Sequence, residues 1–274
     1  MKSKLLISFV AFGMFNCTWH KEKPSNAPPI EEIMVKNELY ANADILKITD
    51  KKRCDRLTFL ALWDAYGRRT DDLLRLDLEN DGKWARDFVA CYPDHSQSEN
   101  SIDGYIALAH ALYQRKDLDR VRKVIDYGES HGWTMGEGPF SVTNIAHVAH
   151  LYYAIEEKLE EKSPKLLSIE GDRGIPQSFR GHILALYLHL RGELRGKLND
   201  IEFRALKALK NGAEYDPYYS ALYAKYDDGD QSNTYKLLVN NAMFPAENIT
   251  EETDVYHWGS CPAVVYFRLI TSLF

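Results

Sequence analysis

The sequence is poor in cysteine, in clustered basic residues and in strand-like alternation, and each shortage excludes something. Its 34 Lys and Arg stand against 40 Asp and Glu, a formal net charge of −6, and no basic cluster exceeds a few residues. Phosphate backbones are bound by Lys and Arg concentrated on one face, so a nucleic-acid partner is excluded. No segment of more than a few residues alternates apolar with polar, which rules against half-buried strands. The four cysteines have no zinc-ligand spacing, and nothing else in the sequence calls for a metal or a cofactor. A G-x-S-x-G nucleophile elbow is absent. Gly132, Gly136 and Gly138 follow no strand and precede no Lys-Ser/Thr pair, so they are not a phosphate-binding loop.

What is present begins at the N-terminus. Lys2 and Lys4 form a positive region, Leu5 to Phe15 a largely apolar run of 11 residues, and Cys17 follows after Asn16. A helix of 11 residues spans about 16 Å, too little for a hydrocarbon layer of roughly 30 Å, so the segment reads as an export signal. It resembles a bacterial lipoprotein signal of the relaxed spirochaete type, with Asn in the last place before the cysteine. That resemblance implies cleavage after residue 16, lipid on Cys17, and a place in the bacterial cell envelope, anchored to the outer membrane. Loss of Lys2 and Lys4 leaves 32 basic against 40 acidic residues, a formal −8 that gives an anionic membrane surface nothing to attract except the lipid. Residues 17–37 are polar and proline-bearing and read as a tether, so the expected organisation is signal 1–16, tether 17–37 and one domain over 38–274.

Helical periodicity dominates that domain. Ile102, Tyr105, Ile106, Ala109, Leu112 and Tyr113 recur at intervals of three and four; Leu118, Val121, Val124 and Ile125 repeat the pattern after a short break. The spacing predicts a helical hairpin over 101–128 that ends at Gly128. Further helices are predicted at 52–66, 142–160, 178–195, 200–213, 217–227, 231–241 and 261–272. Ile183 to Leu190 is apolar at every position but His189, the mark of a helix that sits between other helices. The predicted class is all-α, with hairpins packed as an α/α toroid or an irregular helical solenoid, since no 34-residue period supports a regular tetratricopeptide array.

Export leaves Cys54, Cys91 and Cys261 in a compartment where disulfides persist, and three cysteines allow at most one bridge. Cys54 and Cys91 are the candidate pair, because both precede hairpins in the same half of the chain. Chemistry is expected in four polar loops at the ends of helices. Asp103 and Glu137 are the candidate catalytic carboxylates for cleaving a glycosidic bond, one as acid and one as base or nucleophile. His131, Trp133, Arg180, His182, His257 and Trp258 are candidate ligand-binding residues, the tryptophans as platforms for sugar rings. The bland alternative gives Ser101 the role of N-cap and Asp103 a favourable place in the first turn of its helix.

The segments "CDRLTFLALWDAYG", "CYPDHSQSENSIDGYIALAHALY", "IDYGESHGWTMGEG" and "FRGHILALYLHLRGE" resemble a family of bacterial exported proteins with an all-α body. Its Ser-x-Ser-x-x-Ser-x-Asp pattern is matched by Ser96, Ser98, Ser101 and Asp103, with Ile102 where that family has Arg. The resemblance implies the fold and no established activity. The helix pattern and polar loops also resemble α/α-toroid glycan-processing enzymes. Two functions follow as expectations: a lipid-anchored envelope module that binds a glycan or protein ligand or serves as a scaffold, and a glycan hydrolase or lyase with paired carboxylates.

Overall fold

The computed structural model describes residues 55–90, 97–135, 146–162, 181–212 and 217–227, together with 269, 270, 272 and 273. Among the described residues the regular elements are helices: α1 (Arg56–Tyr66), α2 (Asp71–Leu74), α3 (Ile102–Arg115), α4 (Leu118–Ser130), α5 (Ala146–Leu159), α6 (Gly181–Arg195), α7 (Asp200–Gly212) and α8 (Pro217–Tyr226). The all-α class is therefore observed. None of the described helices is long and apolar enough to cross a membrane. The helix expected at 231–241 lies outside the described residues; of 261–272, residues 269, 270 and 272 are described, the first two helical and the third in a turn.

Two local expectations are corrected. Helix α4 does not end at Gly128 but runs on to Ser130, and the chain reverses through Gly132 and Trp133, at φ of 59° and 55°. Gly128 is needed for a different reason: a Cβ there would stand 2.7 Å from the indole of Trp133, which folds back over it. The second concerns the start of α3. Ser101 holds the N-cap position in extended backbone, yet its hydroxyl makes no capping hydrogen bond. The short α2 has no periodicity to betray it and is built by Thr70, whose side chain accepts from the Asp72 N–H.

Helix direction can be read from paired contacts. Thr58 meets Asp103, Tyr66 meets His110 and Arg69 meets Gln114, so α1 and α3 run parallel. His110 meets Leu186, and Gln114 meets Glu193, so α6 is parallel to both. Helix α4 turns back from α3, and α5 turns back again, with Glu129 beside Tyr153 and Arg122 beside Glu156. Helices α1, α3, α5 and α6 thus form a parallel set, and the returning helix α4 packs on α3 and α5. Within that set α3 packs on α1, α5 and α6, and α6 also packs on α7 and α8.

Sequence explains why α3 and α6 are central. Nine consecutive residues of α3, Gly104 to Leu112, are buried, and so are Ala185 to Gly192 of α6. Each large aliphatic side chain removed from water in this way contributes about 1.5–3 kcal/mol. Several charges inside the body are paired, because an unpaired ion there would lose its hydration without return. Arg115 holds Asp64 through two bonds of 2.7 and 2.6 Å; Arg56 holds Asp87 at 2.9 Å. Arg191 and Arg195 close on Glu202 at 2.8 and 3.1 Å.

Candidate functional site

The residues expected to form a site are largely occupied by local structure. Asp103 is half-buried in the first turn of α3, and its Oδ2 accepts from the Thr58 hydroxyl at 3.4 Å, which joins α3 to α1. His131 caps the end of α4: its ring stacks on Tyr127 at 4.1 Å, and Nδ1 lies 2.9 Å from the Tyr127 carbonyl. Trp133 packs edge-on to Tyr153 at 5.6 Å as well as over Gly128. His182 is half-buried in the first turn of α6. Glu137, Arg180, His257, Trp258 and Cys17 lie outside the described residues, and so do Cys54, Cys91 and Cys261.

A different group of polar side chains converges in the body, where α1, α3, α6 and α8 meet. His110 and His189 are both fully buried, with ring centroids 5.3 Å apart. Tyr66, at the end of α1, stacks on His189 at 5.2 Å and brings its hydroxyl to His110 Nδ1. His110 Nε2 is 2.9 Å from the Leu186 carbonyl. A carbonyl only accepts, so Nε2 carries the ring proton and Nδ1 presents a lone pair to the Tyr66 O–H. Tyr66 Oη is also 3.2 Å from Glu193 Oε2, and its single proton serves one of the two partners at a time. Gln114 donates to the same Oε2 at 3.2 Å.

Glu193 is the charged member. Its other oxygen, Oε1, lies 3.2 Å from His189 Nε2, one helical turn earlier on α6. That contact favours the ionised carboxylate and opposes the effect of burial on the imidazole, while His189 Nδ1 is 3.2 Å from the hydroxyl of Tyr218. The Tyr226 hydroxyl, from α8, is buried against Gly192 and is without a hydrogen-bond partner among the described residues. Burial alone would push the Glu193 carboxyl up, but His189, His110 and Lys225 outweigh it and hold the group at about 2. Burial is also the main cause of the lowered pKa of His189. Glu193 has 15% of its side chain exposed, so solvent reaches the edge of the group.

This arrangement differs from that of four other carboxylates. Asp64, Asp77, Asp87 and Glu202 each have an arginine at ion-pair distance, whereas no Lys or Arg among the described residues stands that close to Glu193. Among the described residues no group of three or more His, Cys, Asp or Glu is arranged to hold a metal ion. One signal for the group is in the sequence: His110 and His189 are each a lone polar residue inside an apolar helical stretch, and Glu193 is four residues beyond His189 on the same face. Along α3, seven residues separate Asp103 from His110, about 10 Å of helix, so the expected and observed groups occupy different levels of the body. No family model, no curated protein and no solved structure matches this chain.

Proposed function

We propose that the chain is an exported module of the bacterial cell envelope, held at the outer membrane by lipid on Cys17, whose α-helical body binds a ligand. The export signal at residues 1–16 and the polar tether to residue 37 support the location. The parallel run of α1, α3, α5 and α6 supports a body of hairpin layers, in a toroid or an irregular solenoid. The observation that carries the binding reading is Glu193: a mostly buried carboxylate that, among the described residues, has no Lys or Arg at ion-pair distance and meets only the titratable His189 at 3.2 Å. Glu193 is 15% exposed at the edge of this polar group, so a ligand arriving from solvent meets a carboxylate that has no permanent cation beside it. Glycan cleavage is the weaker reading, because Asp103 is engaged by Thr58 in helix packing.

The test has two arms. Mass spectrometry of the membrane fraction is expected to find a diacylated or triacylated Cys17 at the mature N-terminus, and Cys17→Ser to release the protein from that fraction. An unmodified terminus elsewhere sinks the anchor. For the body, a thermal-shift screen of neutral, anionic and cationic small molecules is run on the wild type and on Glu193→Gln. The binding reading requires at least one compound that stabilises the first and not the second; identical profiles across the screen refute it.

A further inference from the structure

Tyr66 has one hydroxyl hydrogen and two acceptors for it. The hydroxyl reaches His110 Nδ1 and lies 3.2 Å from Glu193 Oε2. His110 Nε2 is committed to the Leu186 carbonyl at 2.9 Å and so carries the ring proton, which leaves Nδ1 as a lone pair. Whichever acceptor the Tyr66 O–H serves, the other goes without that hydrogen. One added proton removes the shortage. With a hydrogen on His110 Nδ1, the imidazolium donates to Tyr66 Oη, and the Tyr66 O–H donates to the Glu193 carboxylate. The three groups also stand in order from water to the interior: Glu193 reaches solvent at its edge, Tyr66 is half-buried and His110 is fully buried.

We propose that Tyr66 is a proton relay between Glu193, at the solvent edge, and the buried His110, through which the folded chain takes up a proton on His110 Nδ1 without opening. A hydronium ion from solvent protonates Glu193 Oε2. The Tyr66 O–H bond breaks as its hydrogen forms the Nδ1–H bond of His110, and Tyr66 Oη takes the hydrogen from Glu193 Oε2. An imidazolium, an intact phenol and an ionised carboxylate result. The two transfers are concerted, because burial and then the charge of Glu193 make a tyrosinate at position 66 unfavourable. The direction follows the proton affinities. Glu193 is held at about 2 and His110 at about 4, so the carboxylate passes the proton on and the histidine keeps it.

The surrounding groups leave this path to Tyr66. On α3, Gln114 donates to Glu193 Oε2, and Tyr113 stands near its charge. On α5, Tyr152 donates to the Tyr105 carbonyl, more than a turn before His110 on α3. On α8, Lys225 and Tyr226 lie near the Glu193 charge, and Tyr218 meets His189. His189, on α6, is the competing proton site. It contacts the other carboxylate oxygen, Oε1, at 3.2 Å, so a proton bound there does not pass through Tyr66.

The relay needs no ligand, and failure of the binding screen above leaves it standing. The experiment is nitrogen NMR of the full mature chain with labelled histidines, His110 being assigned by His110→Gln. At about pH 7.5 the ring is expected in its neutral Nε2–H form; an Nδ1–H form overturns the relay. At about pH 5 a minor fraction of the ring is charged, and relaxation dispersion reads the rate of proton exchange at His110. Amide hydrogen exchange along α3 in the same sample reports how often that helix opens. Urea below the unfolding transition promotes opening and does not promote a relay. The His110 rate is therefore expected to stay level as urea is added, and a rate that rises in step with α3 amide exchange overturns the proposal. Tyr66→Phe keeps the ring beside His189 and removes the hydroxyl. It is expected to slow proton exchange at His110 about a hundredfold, the scale on which a positioned group assists proton transfer, and Glu193→Gln by a similar factor. Tyr218→Phe, which alters only the contact to His189, is expected to leave the rate unchanged. Undiminished exchange in Tyr66→Phe or Glu193→Gln, with α3 amide exchange as in the wild type, overturns the relay. Where a variant opens α3 more often, the wild-type urea series decides.

Discussion

The Tyr226 hydroxyl occupies the space that a side chain at Gly192 would need: an ideal Cβ at that position falls inside contact distance of both Oη and Cζ of the tyrosine. Helix α8 approaches α6 closely there only because residue 192 has no side chain. Gly192→Ala would improve local helix propensity by about 1 kcal/mol on its own. The displaced phenol reverses that gain, since overpacking a filled interface costs about 1–3 kcal/mol. The expected outcome in urea unfolding is net destabilisation. A more stable Gly192→Ala protein would show that Tyr226 is not fixed against α6.

Much of this packing is legible in the sequence, and the site is not. The apolar stretch from Ile183 to Leu190 announces a helix among helices, and α6 packs on four others. His189 is visible in that stretch as the one polar residue, but periodicity marks it without saying what it meets. Its partners Tyr66, His110 and Tyr218 come from α1, α3 and α8. Those pairings depend on helices crossing at particular levels, which no local pattern encodes. Gly128 shows the reverse error. A glycine near the end of a helix reads as a terminator, whereas here it makes room for Trp133. Local chemistry also misleads at Asp103, where a first-turn carboxylate has the composition of a catalytic acid and the contacts of a packing residue.

Asp103→Asn tests that last distinction. The amide retains an oxygen to accept from Thr58 and loses the charge that favours the start of α3, so the expected cost is about 0.5–1 kcal/mol in denaturant unfolding. If the wild type cleaves an envelope glycan and the variant does not, the catalytic reading of Asp103 returns.

Arg191→Met removes the innermost contact of the Glu202 carboxylate, whose Oε1 accepts from Arg191 Nε and Nη2 at 2.9 and 2.8 Å. Both side chains are buried, at 0% and 4% exposure, so little water is available to replace the guanidinium. Arg195 and the Asn199 N–H remain on Glu202, at 3.1 and 2.9 Å, and soften the loss. Breaking a buried pair costs about 3–5 kcal/mol, and the expected value is at the lower end of that range. Equilibrium unfolding measures it. A cost below about 0.5 kcal/mol, typical of a surface pair, would mean that the pair is hydrated.

Acid should destabilise the fold through the histidine pair. Burial, and then the neighbouring His189, push His110 down from 6.5 to about 4. Between those values the unfolded chain binds a proton that the folded chain refuses, so stability rises with pH across this window. The contribution is complete above about pH 6.5 and is lost as pH falls towards 4; a shift of this size corresponds to about 3 kcal/mol. His189 acts in the same direction, also through burial. Glu193 extends the loss further into acid, because its folded value of about 2 lies below the ordinary 4.5. Urea midpoints measured from pH 7.5 to 4.5 are expected to fall steadily, and His110→Gln to flatten that slope while lowering stability at neutral pH through loss of the contacts to Tyr66 and Leu186. Stability that holds level or increases on acidification would mean that the two imidazoles are already charged in the folded protein.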